Sequence, residues 1–143
     1  MDKRAEVEAW LLEFIQLPNV NVDPSDILGS VRYAGDDAHE MMRGFAKRFG
    51  VDMSDFDPWQ HYDADEPPNW QRYRPYSLDG KELPLLPITV VDLTHAANLG
   101  RWTPDYSGRE VRFVKFSWVF FGKVILCGMV VLALSVVINT CLF

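Results

Sequence analysis

Cysteine is missing from the first 126 residues, because Cys127 and Cys141 both lie in the last twenty. The N-terminal part therefore has no disulfide, thiolate zinc site or cysteine nucleophile of its own. Histidine is almost as scarce. His39, His61 and His95 fall in three separate segments without HxxxH or HxH spacing, so no metal site is expected. A glycine-rich phosphate loop and a nucleophile elbow are also lacking. The opening MDKRAEVEAW is charged and has no apolar core of signal-peptide length, so it reads as part of the domain rather than an export signal. Charge is absent from residues 124–143 altogether.

What is present is divided sharply along the chain. Of 143 residues, 1–110 carry 11 Lys+Arg against all 20 Asp+Glu, and 111–143 carry only three basic residues, so an acidic head precedes a basic neck. An acidic head disfavours nucleic acid and favours protein partners, basic surfaces in particular. The stretch VILCGMVVLALSVVINTCLF is long enough, at about 1.5 Å per residue, to cross a hydrocarbon core of roughly 30 Å. It predicts a single C-terminal transmembrane helix, with Arg112, Lys115, Trp118 and Lys123 at the membrane interface. Basic residues precede the span and none follows it. The positive-inside rule then places the head in the cytoplasm, single-pass in the inner (cytoplasmic) membrane, with the lipid bilayer as one partner.

Within the head, Val7, Trp10, Leu11, Phe14 and Ile15 recur at steps of three and four, predicting a helix over residues 2–17 that Pro18 stops. Residues 18–35 read as a long loop with one short turn, tucking Val22, Ile27 and Leu28 into the core. A second helix is predicted from GDDA to Phe49, capped by Asp36 or Asp37 and stopped at Gly50. Its buried stripe is Ala38, Met41, Met42, Phe45 and Phe49, and His39, Glu40, Arg43, Lys47 and Arg48 face outward. Residues 58–87 hold six prolines and no clear period, and read as loop. Thr89 and Asp92 form a capping pattern, Ile88 and Leu93 a hydrophobic staple, and Gly100 a stop, predicting a last helix. The fold class is accordingly all-α: a small helical bundle with long loops over 1–102, a basic linker over 103–115 and an anchor over 116–143.

GDDAHEMM, KRFGVDMSDF, the following HYDADE and the ITVVDL helix together resemble the enterobacterial domain-of-unknown-function 1493 family over residues 5–102. The same order of elements resembles the acyl carrier protein fold, and the resemblance implies a carrier-like bundle without an established activity. A working carrier needs a serine at the start of helix two for phosphopantetheine. Matching Glu40-Met41 to the carrier's Glu-Leu pair puts Gly35 there, or Asp37 with one gap; neither can be modified, and Ser30 lies several residues early. Carriers also present an acidic helix two, whereas Arg43, Lys47 and Arg48 make the second half of this one basic.

Asp36 and Asp37 read as helix-start residues rather than paired catalytic carboxylates. Asp55, Asp57, Asp63 and Glu66 match a calcium-loop register, but Gln60 stands where glycine is needed. No catalytic residue, metal or cofactor is therefore expected. Candidate functional residues are Gly35, Asp36 and Asp37 at the carrier-attachment region, and His39, Glu40, Arg43, Lys47, Trp59, Tyr62, Trp70 and Tyr73 as a partner-binding surface, because Trp and Tyr often anchor interfaces. The expected function is a membrane-tethered, non-phosphopantetheinylated, carrier-like interaction module with an adaptor or regulatory role. Two alternatives are a genuine acyl carrier serving membrane lipid enzymes and a small subunit of an inner-membrane complex acting through its transmembrane helix.

Overall fold

The computed structural model describes residues 2–16, 21–63 and 71–115. The first helix, α1, spans Arg4–Ile15 and buries Val7, Leu11 and Ile15, one face at four-residue steps. It packs against the last head helix, α4 (Val90–Leu99). Lys3 fastens the pair by donating from Nζ to the Ala97 carbonyl at 2.9 Å, one of the carbonyls α4 leaves unpaired at its C-terminal end. A five-residue helix, α2 (Ile27–Val31), occupies part of the expected loop, and the Asp26 carboxylate accepts from the Gly29 N–H to cap it. Ile27 donates to the Ile88 carbonyl at 3.0 Å and Val90 to the Pro24 carbonyl at 2.9 Å, tying this segment to the start of α4. Ile27 and Leu28 are buried as expected.

Helix α3 spans Gly35–Phe49 and is the central element. Ala38, Met41, Met42 and Phe45 are buried along it, and Phe49 packs partly buried beside them. Both α3 and α4 close on a glycine in the left-handed region, Gly50 at φ 66° and Gly100 at φ 72°, a conformation that costs other residues more. At the head of α4 the expected capping box is present: Thr89 Oγ1 accepts from the Asp92 N–H at 3.0 Å, and the Asp92 carboxylate accepts from the Thr89 N–H at 3.0 Å. Ile88 and Leu93 are fully buried, as a hydrophobic staple requires, whereas Val91 points to solvent.

The domain is not all-α. Gln71–Ser77 (β1) and Arg109–Lys115 (β2) form a two-stranded antiparallel sheet, with Tyr73 opposite Phe113 and Arg74 opposite Arg112. Both strands fall where no regular structure was predicted, one in the proline-rich stretch and the other in the basic linker. Pro75 masks the first. Its carbonyl accepts from Leu83 on one side of β1, at 2.9 Å, and in an antiparallel ladder a residue's N–H and C=O point the same way. The missing N–H therefore faces away from β2 and removes no rung. Two opposed arginines would repel. Arg74 is offset by Asp63 at 3.1 Å and Glu82 at 3.8 Å, and Arg112 pairs with Glu110 and lies over the Tyr76 ring at 5.2 Å.

No helix among the described residues is long and apolar enough to cross a membrane. Residues 116–143, where that helix is predicted, lie outside the described residues, as do Trp118, Lys123, Pro18 and Trp70.

Candidate functional site

The exposed side of α3 forms one wall of a groove of about 820 Å³. Met42 and Ala46 of α3 contribute apolar surface, as does Phe14 of α1. The rest comes from Val51, Met53, Phe56 and Pro58 in the segment that follows α3. That segment is shaped locally: the Asp52 carboxylate accepts from the Ser54 N–H at 2.9 Å, and Phe56 donates to the Met53 carbonyl at 3.0 Å. These turns hold Met53 and Phe56 toward α3. Gly44 lets α1 come close, since a Cβ there would stand 3.2 Å from the Phe14 ring.

His39, Glu40, Arg43 and Lys47 make the rim. Arg43 and Lys47 are one helical turn apart, a spacing at which like charges repel by about 0.2–0.5 kcal/mol. Both are exposed, and among the described residues neither forms a salt bridge. An apolar floor beside two cations that form no ion pair among the described residues, with Glu40 the one acid on the rim, suits an amphipathic segment carrying carboxylates.

The start of α3 differs from the expected cap. Its N-cap is Ala34, without a side-chain cap, and the Gly35 N–H donates to the Asp63 carbonyl at 2.8 Å. Asp36 and Asp37 lie in the first turn, exposed, where their charge favours the positive helix end without capping it. Asp37 faces a second cleft with Trp10, Glu13 and Tyr33. Ser30, the nearest hydroxyl, donates to the Ile27 carbonyl at 2.8 Å inside α2.

The aromatic candidates divide among different places. Tyr62 is in the core, 6% exposed, and burial pushes its phenol up to about 12. Trp59 stacks on Tyr73 with centroids 4.6 Å apart, and Tyr73 meets Phe113 at 5.2 Å, so both belong to the sheet rather than to the α3 groove. Of the interface residues, Arg112 is exposed on β2 and Lys115 ends that strand.

His61 is buried, 8% exposed, and its surroundings define its tautomer. Nδ1 lies 3.0 Å from the Leu86 carbonyl, so it must donate. Nε2, 2.9 Å from the Tyr106 hydroxyl, then accepts from it, while that hydroxyl accepts from the Asp57 N–H at 3.2 Å. The result is a directed chain through a neutral ring, with both nitrogens consumed inside the fold. His61 thus offers no free lone pair for proton abstraction. Phe56 stacks on the ring at 5.2 Å, which joins this network to the groove.

Burial holds the His61 pKa below its ordinary 6.5, against the Leu86 carbonyl and the Asp92 and Asp57 charges. The unfolded chain binds this proton more readily than the folded one, so stability rises with pH here. The contribution is complete above about 6.5 and is lost as pH falls through the lower folded value. Urea unfolding followed across this window is expected to show stability falling with acid. His61→Gln is expected to flatten that slope while lowering the plateau.

A family model described as "Protein of unknown function (DUF1493)" matches residues 4–105. No curated protein and no solved structure matches the chain.

Proposed function

The chain belongs to the DUF1493 family, whose description assigns no function, and from its geometry we propose a membrane-tethered, non-enzymatic interaction module that holds an acidic amphipathic segment of another protein in the α3 groove. The observation that carries this reading is the juxtaposition of the partly exposed Ala46, Met53 and Phe56 with the exposed Arg43 and Lys47. Met53 suits such a surface because its unbranched side chain repacks against different apolar partners. The partner charge differs from the one read from composition: the head as a whole is acidic, yet the groove presents cations. Tethering is supported by the uncharged run 124–143, and the basic residues before it favour a cytoplasmic head at the inner membrane.

A carrier role finds no attachment point in the groove or at the helix start, where Gly35, Asp36 and Asp37 offer no hydroxyl and Ser30 is turned into its own helix. Incubation of the full chain with a phosphopantetheinyl transferase and coenzyme A is expected to leave its intact mass unchanged. A gain of one phosphopantetheine would establish the carrier instead.

The groove itself is tested by affinity purification from detergent-solubilised membranes. Wild type is expected to retain a defined protein that the Arg43→Glu/Lys47→Glu double variant loses by tenfold or more, the size of a lost 1.4 kcal/mol. Because both residues are exposed, stability should change little. Equal recovery by the two chains would remove the groove as the recognition surface.

A further inference from the structure

Strand β2 is the outer strand of its sheet. On the far side of β1, Glu82 bridges to Tyr76 and Leu83 donates to the Pro75 carbonyl, whereas among the described residues no strand lies beyond β2. The groups left on that edge follow from Pro75. Its carbonyl points away from β2, so Pro75 and its opposite residue Val111 exchange no hydrogen bond, and the N–H and C=O of Val111 point outward. Alternation along the strand turns those of Arg109 and Phe113 outward as well. The Arg109 N–H is taken back by the Tyr106 carbonyl at 3.0 Å, but the outward groups of Val111 and Phe113 meet no partner among the described residues. Such an edge is a template for a further strand.

The sequence of β2 specifies which strand. A continued ladder must set outward-facing residues of the two strands opposite each other, which leaves a two-fold pairing of β2 with itself only a few registers. Centred on Glu110, the pairing opposes two glutamates; centred on Arg112, it opposes two arginines. Centred on Val111, it sets Glu110 of each copy opposite Arg112 of the other. Like charges directly opposed destabilise a sheet and unlike ones stabilise it, so the strand selects the register about Val111. Glu110 and Arg112 are open to it, with side chains 42% and 47% exposed, and because they already pair within one chain the two copies would join their ion pairs into a single ring of alternating charge. The same register lays Phe113, 39% exposed, opposite Arg109 of the second copy.

We propose that two copies of this chain pair through β2, antiparallel about Val111, so that two two-stranded ribbons become one continuous sheet. A two-stranded ribbon is marginal by itself, and added strands stabilise it. This pairing is independent of what the α3 groove holds, since no residue of β2 lines that groove.

The test uses the full chain in detergent micelles, with Cys127 and Cys141 replaced by alanine and one new thiol. The pairing places the two Val111 Cα atoms about 5.5 Å apart, within reach of a disulfide, and the two Val114 Cα atoms about 20 Å apart, beyond it. Under mild oxidation Val111→Cys is expected to give a linked dimer about tenfold faster than Val114→Cys, although Val114 is the more exposed of the two. Glu110→Arg or Arg112→Glu, added singly to Val111→Cys, is expected to slow linkage about tenfold, and the two together to restore it, because the swap puts unlike charges opposite each other again. Equal rates at positions 111 and 114, or no rescue by the double swap, would overturn the pairing. Sedimentation of the cysteine-free chain decides the matter even if Val111→Cys fails to fold: two copies are expected, and one copy with Glu110→Arg. A single copy from the start, or pairing untouched by Glu110→Arg, would overturn the proposal. Linkage of Val111→Cys in native membranes to a different protein instead would give the edge to that protein, and would equally overturn it.

Discussion

Phe45→Ala is expected to destabilise the head by about 3–5 kcal/mol, the range for emptying a fully buried aromatic site. Phe45 is 0% exposed and sits in the C-terminal third of α3, with ring centroids 5.8 Å from Trp10 and 5.2 Å from Phe49. Its loss would leave a cavity where α1 and α3 meet, and neither helix can close on it without breaking its contacts with α4 or the following loop. A domain of this size is stable by only about 5–15 kcal/mol, so roughly a fifth or more of that would be removed. Phe45→Leu, which conserves more volume, is expected to cost appreciably less. Urea unfolding of the full chain in detergent micelles, read by far-ultraviolet circular dichroism, distinguishes the two. A cost below 1 kcal/mol for the alanine variant would mean that Phe45 is not packed as described.

Trp102→Ala is expected to cost a similar 3–5 kcal/mol through a different part of the fold. Trp102 is 4% exposed and meets Phe56 edge-on at 5.3 Å and His61 at 5.9 Å. Its backbone N–H donates to the Asp52 carbonyl at 2.8 Å, and Asp52 donates to Gly100 at 2.9 Å, so the residue closes the ends of α3 and α4 onto each other. Phe56 lies against the groove as well as against Trp102. Removing the indole should therefore weaken partner retention along with stability. Trp102→Phe is expected to recover most of the loss, because the indole N–H makes at most a weak contact, with the Tyr106 hydroxyl. Should Phe behave like Ala, that contact is stronger than its geometry indicates.

The three longer helices were legible in the sequence because their signals are local, whereas the five-residue α2 was read as loop. The stripe Ala38, Met41, Met42, Phe45 and the Thr89–Asp92 box each lie within a few turns of chain, and both recur in the structure. The sheet was illegible for the opposite reason. Its strands are separated by more than thirty residues, Pro75 interrupts one, and the Arg74–Arg112 opposition looks unfavourable until Asp63, Glu82, Glu110 and Tyr76 are seen around it. The cap at α3 was misread because the helix starts earlier than Asp36, at Gly35 behind Ala34, where a distant carbonyl, Asp63, takes the Gly35 N–H. At the groove, the charged rim was legible from helical spacing. The floor was not, since Met53 and Phe56 are aimed by two tight turns and a buried histidine rather than by any period. Trp59 and Tyr73 did prove to be neighbours, but on the sheet.

Recognition through the α3 groove is tested most directly by a photo-crosslinking residue placed at Lys47 in the full chain, irradiated in native membranes. Leu12, on the exposed side of α1, serves as the control position. The expected result is one dominant adduct from position 47, absent from position 12, whose crosslinked peptide is amphipathic and acidic and which disappears when Ala46→Glu is introduced beside it. Equal, diffuse labelling from both positions, or an adduct untouched by Ala46→Glu, would contradict it.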